Sequence, residues 1–198
     1  LVRSTPPRLL LSDKLLRRYG IATRRIAYHD HNAERMRPRL IARIKAGAAV
    51  ALISDAGTPL VSDPGYKLVR AAVAEGLAVT ALPGPSAPLM ALVLSGLPSD
   101  RFFFAGFLPA KAAARQRALG ELTAVPATLL FLETAVRLAA SLADMAAVLG
   151  DRPAAVAREL TKLHEELRRG TLADLAAYYG AAGPPQGELV VVVGPPSA

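Results

Sequence analysis

The residues that most constrain this chain are an apolar run and the loop that follows it. Ala49 to Ile53 carries no alternating polar positions, so it reads as a fully buried strand of a parallel sheet. Ser54-Asp55-Ala56-Gly57-Thr58-Pro59 comes next, an acid and a glycine turn at the strand end. Asp63-Pro64 then has the chemistry to cap and open a helix, which the apolar spacing carries to about Glu75 before Gly76 stops it. Ligands of open α/β sheets lie outside the carboxyl ends of the strands, so Asp55 to Pro59 is the first place to expect one.

The same alternation continues. Leu77–Ala81 reads as a strand, Pro83-Gly84-Pro85 as a turn, and Ser86 to Leu94 as a helix. Leu97-Pro98-Ser99-Asp100 interrupts the apolar periodicity, and an aromatic strand starts at Arg101-Phe102-Phe103-Phe104. A basic helix (Lys111 to Leu122), a strand (Thr128–Leu132) and a helix (Ala135 to Leu149) follow, with Leu138, Leu142, Met145 and Leu149 on one helix face and Gly150 ending it. Ala154–Arg158 and Leu189–Val193 are further strands. The expectation is two α/β domains, 1–97 and 98–198, the first built on a parallel sheet.

The chain has no cysteine, so a disulfide framework, a thiolate metal site and a cysteine nucleophile are excluded. No apolar run reaches the ~20 residues of a membrane span, and the opening residues lack a signal-peptide layout. A cytoplasmic protein with no membrane association is expected. Residues 1–45 hold 12 Lys/Arg against 3 acids, although the whole chain carries only +8. A basic block on a neutral body suits a polyanion such as RNA; a solvated helix face is the alternative. Arg17, Arg18, Arg24 and Arg25 are its candidate RNA contacts. Lys111, Arg115 and Arg117 form either a solvated face or a second contact, with Lys111 and Arg115 one helical turn apart.

Other clusters invite chemistry. His29-Asp30-His31 lacks a third metal ligand, and strand alternation would separate Asp30 from the two imidazoles, so no metal is expected. The remaining histidine, His164, lies in a stretch that reads as polar helix beside Glu165 and Glu166. Glu133, Thr134 and Arg137 follow one strand; Arg158, Glu159 and Lys162 follow another. They are either an ion-pair network between loops or a reactive group. In the second case Arg137 and Arg158 hold phosphate, while Glu133 or Lys162 helps remove a proton from a hydroxyl.

Taken in order, these blocks resemble the tetrapyrrole methylase superfamily, most nearly its members that act on small-subunit ribosomal RNA. The blocks are His29-Asp30-His31-Asn32, Ser54 to Gly65, Leu82-Pro83-Gly84-Pro85-Ser86-Ala87, Leu97 to Phe102, and Gly106-Phe107-Leu108-Pro109-Ala110-Lys111. Phe131-Leu132-Glu133-Thr134, Ala157-Arg158-Glu159-Leu160-Thr161-Lys162 and Gly187-Glu188 complete the series. The resemblance implies two α/β domains of the tetrapyrrole methylase type, the second with a mixed sheet, a cofactor cleft between them, and a homodimer. It implies S-adenosyl-L-methionine as cofactor, with Asp55, Gly57, Thr58 and Pro59 on one side. Pro83, Gly84, Ser86 and Ala87 would offer backbone donors and space, and Leu132 and Ala157 would pack the adenine.

The implied reaction is 2′-O-methylation of a cytidine in small-subunit ribosomal RNA, free or in the assembled subunit. A corrin-pathway C-methyltransferase of the same fold and a non-catalytic RNA-binding module are the alternatives. Leu1 to Pro6 resembles the family's first strand and turn, but the glycine- and asparagine-bearing loop and long helix that should follow are missing. Residues 6–13 are therefore expected to join segments that are not contiguous in the expressed protein, which Cα atoms much more than 3.8 Å apart would reveal.

Overall fold

The computed structural model of the protein describes residues 2–3 and 11–196. The discontinuity expected near residues 6–13 falls largely on residues 4–10, outside the described residues. The chain divides into two compact units, one ending at Ser86 and one beginning at Ala87.

The first unit contains β1 (Val2–Arg3), α1 (Leu11–Arg18), β2 (Ile26–Ala27), α2 (Ala33–Lys45), β3 (Leu52–Ile53) and α3 (Tyr66–Ala74). β1 lies between β2 and β3 and is parallel to both, so the expected parallel sheet is present in short form. Its core joins Val2 to Leu40 and Ile41 of α2 and to Leu68 and Ala72 of α3. Three expectations need correction. The run Ala49–Ile53 is laddered only at Leu52–Ile53. It is also half-buried, because Val50 and Leu52 turn to the core while Ala49 and Ala51 are exposed. Leu77–Ala81 forms no ladder; Leu77 alone packs on the core. Finally, α3 begins after Gly65 rather than after an Asp63 cap. Gly65 has φ +143°, and a Cβ there would lie 2.6 Å from Leu52 Cδ2, so the chain turns into α3 where only glycine fits under β3.

The second unit contains α4 (Ala87–Ser95), β4 (Phe102–Phe107), α5 (Ala112–Gly120), β5 (Thr128–Glu133) and α6 (Leu138–Leu149), the last preceded by a 3-10 turn at Ala135–Arg137. Then come β6 (Pro153–Arg158), β7 (Glu166–Thr171), α7 (Leu172–Ala182) and β8 (Leu189–Val193). The sheet order is β4-β5-β8-β6-β7, with β4 and β5 parallel and the other pairs antiparallel: the expected mixed sheet. One face, with Leu129, Phe131, Val156, Val191 and Val193, is covered by α5, α6 and α7. The other, with Leu130, Ala155, Ala157, Val190 and Val192, is covered by Ala91 and Leu92 of α4. Both faces of β8 are therefore buried, which accounts for its unbroken apolar sequence. The face of α6 read from the sequence, Leu138 to Leu149, is the one that enters this core.

The helix α4 explains why the units divide before residue 97. Arg169 Nε of β7 donates to Ser95 O at 3.0 Å, and Ala91 is fully buried under the second sheet. β7 and α7 escape the sequence reading. β7 is an edge strand with charged residues at Glu166, Arg168 and Arg169, which blunt an open edge but erase the apolar alternation that marks a strand. His164 is consequently in a turn and Glu166 opens the strand, with no helix there. β4 occupies the opposite edge, so Phe102, Phe103 and Phe107 are half exposed.

Arg115 is neither a solvated nor an RNA-facing residue. Its side chain is 5% exposed, its Nε donates to Asp144 Oδ2 at 2.6 Å, and Nη1 donates to Ala110 O at 3.1 Å. The pair fastens α5 to α6. Removing one member strands a buried charge, so Asp144→Ala should cost about 3–5 kcal/mol in urea unfolding, whereas loss of an exposed pair such as Lys45–Glu75 costs about 1 kcal/mol or less.

Candidate functional site

In the first unit, the loop leaving β3 is shaped by short local bonds. Ser54 Oγ donates to Ala56 O at 2.8 Å, and Gly57 takes φ +65°. Thr58 Oγ1 then donates to Pro85 O at 3.0 Å. That one bond brings together the two segments read as cofactor-binding, Asp55 to Pro59 and Pro83 to Ser86, although they are separated by α3 and an unladdered stretch. Asp55 is partly buried, and Ser86 stands immediately before α4, whose first residue is Ala87.

His29 to Asn32 is a turn, not a strand, so the expected separation of His29 and His31 from Asp30 by alternation does not apply. Asn32 folds it: His29 N donates to Asn32 Oδ1 at 3.0 Å, and Asn32 Nδ2 donates to Ala27 O at 3.0 Å. The two imidazoles meet edge to face, with centroids 5.9 Å apart. Among the described residues, no group of three or more His, Asp or Glu is placed to hold a metal.

In the second unit, strand register aligns the two positions expected to pack an adenine. Leu132 and Ala157 both pair with Val190, one from each side, and lie on the same sheet face. At the next pair, Glu133 and Arg158 flank Leu189 in the same way. Their chemistry is structural. The Glu133 side chain is completely buried and accepts from Thr134 N at 2.7 Å, Arg137 Nη2 at 3.2 Å and Ser141 Oγ at 2.5 Å. The carboxylate is thus held by internal donors. Arg137, in turn, donates to Leu108 O at 2.6 Å. Arg158 pairs with Glu166 at 3.0 Å and donates to Gln186 O at 3.1 Å. Both arginines have internal partners.

Lys162 is exposed but bracketed by acids, 2.8 Å from Glu159 Oε1 and 3.2 Å from Glu188 Oε2. The hydrogen bond to Glu159 raises the Lys162 pKa, and the same bond, with Glu188 N–H, lowers that of Glu159. Both shifts favour the charged forms of the pair. The bracket closes on a backbone that sequence reasoning could not foresee. Glu159 and Thr161 have φ +49° and +65°, Glu159 N donates to Glu188 O at 3.0 Å, and Glu188 N returns a bond to Glu159 Oε1 at 2.9 Å. Gly187 sits at φ +101° with its missing Cβ only 2.3 Å from Glu159 Cγ, so the acid occupies the space a side chain would need. The blocks Arg158 to Lys162 and Gly187-Glu188 are thereby two halves of one clasp. Arg17, Arg18, Arg24, Arg25 and Lys111 all lie on exposed positions.

Comparison with known proteins agrees with this architecture. The sequence profile of the tetrapyrrole (corrin/porphyrin) methylases matches residues 5–176. Over 189 residues the chain is 59% identical to the ribosomal RNA small subunit methyltransferase I of Mesorhizobium japonicum, covering 95% of this chain and 64% of that protein. It is 50% identical over 186 residues to the protein of the same name from Micromonospora olivasterospora, covering 93% of this chain and 59% of the relative. The chain thus spans less than two thirds of the length of these two relatives. Among solved structures, a diphthine synthase superposes with TM-score 0.68 at 19% identity, over 98% of this chain and 78% of that one. The uroporphyrin-III C-methyl transferase of Thermus thermophilus, complexed with S-adenosyl homocysteine, superposes with TM-score 0.57 at 19% identity, over 86% and 77% of the two chains. With its profile matched over most of its length and its fold shared with these enzymes, the chain belongs to the tetrapyrrole (corrin/porphyrin) methylase family.

Proposed function

We propose that this chain carries the catalytic part of an S-adenosyl-L-methionine-dependent 2′-O-methyltransferase acting on a cytidine of small-subunit ribosomal RNA. The observation that carries the reading is the Thr58–Pro85 bond, which unites the two cofactor segments in a chain so similar to relatives named for that RNA. Asp55, Gly57, Thr58 and Pro59 face the cofactor's polar groups. Pro83, Gly84, Ser86 and Ala87 line its passage, and Leu132 and Ala157 supply the apolar row for its adenine. The sulfonium arrives already activated, so these residues have chiefly to align the attacking oxygen and exclude water. Lys162 acts through its charge, and the enclosed Glu133 acts by holding Arg137.

The basic block, with Arg17 and Arg18 in the last turn of α1 and Arg24 and Arg25 beyond it, is the RNA-binding surface, with Lys111 as a further contact. The partner is the small-subunit RNA or the assembled particle, in the cytoplasm, and the working form is a homodimer. No helix among the described residues is long and apolar enough to cross a membrane.

Mass-spectrometric mapping of 2′-O-methyls in small-subunit RNA from a strain lacking this gene should show one cytidine methyl lost, and an unchanged map overturns the reading. Asp55→Ala should weaken S-adenosylmethionine binding by about 1.5–3 kcal/mol in calorimetry, the range for a hydrogen bond to a charged group; unaltered affinity removes Asp55 from the site. Replacing Arg17, Arg18, Arg24 and Arg25 with alanine should flatten the fall of RNA affinity with salt, because fewer counterions are released, while leaving cofactor binding intact. An unchanged slope makes this block a solvated surface.

A further inference from the structure

Two polar side chains of the first unit bring buried polar atoms to one cavity. Tyr28 Oη and Asp63 Oδ2 are both buried; Arg37 is a hydrogen-bonding neighbour of the phenol, whereas among the described residues Asp63 Oδ2 makes no hydrogen bond. Both line a cavity of about 280 Å³, together with Asp30, Ser62 and Lys67. The place follows from topology. β2 and β3 flank β1 and run parallel to it, so the loops after them, 28–32 and 54–65, emerge at the same end of the sheet. That is the end where α/β sheets hold ligands. The wall is also held under strain, with Leu60 at φ +73° and Ser62 at φ +54° beside Asp63. Non-glycine residues keep such angles only where the surroundings fix them, and functional sites are where they collect.

The cavity pairs a donor with an acceptor. Burial raises the pKa of the Tyr28 phenol, against a smaller lowering by Arg37, and keeps it a protonated donor. Asp63 offers an unused carboxylate oxygen. Adjacent hydroxyls match such a pair, whereas the carboxylates of Asp30 and Asp63 disfavour a phosphate at the same spot. The volume lies just below the range of ordinary ligand pockets, ~300–1,000 Å³, which suits one sugar and not a tetrapyrrole ring. In the second unit, the Glu133 side chain is completely buried and Lys162 is bracketed by two acids.

We propose that this cavity seats the ribose of the nucleotide to be methylated, with Asp63 taking the proton of its 2′-hydroxyl and Tyr28 donating to a neighbouring ribose oxygen. The proposal rests on the ribosomal RNA methyltransferase reading. The 2′-oxygen attacks the methyl carbon of S-adenosylmethionine, so that an O–C bond forms. The C–S bond breaks and its electron pair returns to sulfur, leaving the neutral thioether S-adenosylhomocysteine. The hydroxyl proton passes to Asp63 Oδ2 and from there to water.

The test is single-turnover and steady-state methyl transfer from labelled S-adenosylmethionine to small-subunit particles lacking the modification, with cofactor affinity measured by calorimetry on the same preparations. Asp63→Asn should lower kcat by about a hundredfold or more, the usual yield of a positioned base, with KM and cofactor affinity unchanged, and Asp63→Glu should recover part of the rate. Tyr28→Phe should raise KM by about fivefold, one ordinary hydrogen bond, with little change in kcat. An Asp63→Asn enzyme of wild-type kcat overturns the proposal while the methyltransferase reading stands. If Asp63→Asn also loses cofactor affinity, the Tyr28→Phe result decides, and an unchanged KM overturns the proposal. A wild-type protein that methylates no small-subunit particle overturns the underlying reading, and the proposal with it.

Discussion

Burial of Leu189–Val193 on both faces is the constraint on which the rest of the second unit depends. A strand with no solvated side must be paired along both edges and covered on both faces, because its backbone polar groups have no water to turn to. β5 and β6 supply the edges, α6 with its neighbours covers one face, and α4 covers the other. Once β8 is fixed, so is the register that sets Leu132 and Ala157 beside Val190, and Glu133 and Arg158 beside Leu189. A slip of one residue would exchange the two faces and destroy the row. The arrangement of candidate site residues is therefore a consequence of core packing.

Charge in this unit has a different meaning from charge in the basic block. Arg115, Arg137 and Arg158 look alike in sequence to Arg17 or Arg24, yet each is held by an internal carboxylate or carbonyl. Fastening helices and strand ends in this way satisfies buried groups that would otherwise be costly. The clasp of Glu159, Lys162, Glu188 and Gly187 works similarly: opposite charges and a close backbone approach hold two loops together, and the ammonium stays protonated as a result.

The loops of the first unit follow another logic. Its strands are short, so little of the backbone is secured by ladders, and side chains secure the turns instead. Asn32 folds the His29 turn, Thr58 reaches Pro85, and Gly65 lets α3 pass beneath Leu52. Loops held by side chains can carry an unpaired polar atom such as Asp63 Oδ2. Local sequence reading assigns Asp63 to a helix cap instead.

Much was legible from the sequence because it depends on local chemistry. The buried strands at 128–133, 153–158 and 189–193 announce themselves by unbroken apolar composition, α6 by its 3.6-residue spacing, and helix ends at Gly76 and Gly150 by their glycines. The ordered motifs also identified the family and the two segments that Thr58 and Pro85 join. Local chemistry could not show β7, whose edge position requires charge where a strand signal needs apolar alternation, or that α4 packs beneath the second sheet. Nor could it separate Glu133 and Arg115 from solvent-facing charges, or find the partnerless Asp63. Sequence alone determined the residue types and periodicities. Only the tertiary structure decided which charges are enclosed and which polar atoms lack partners, since burial and pairing are set by residues far apart in the chain.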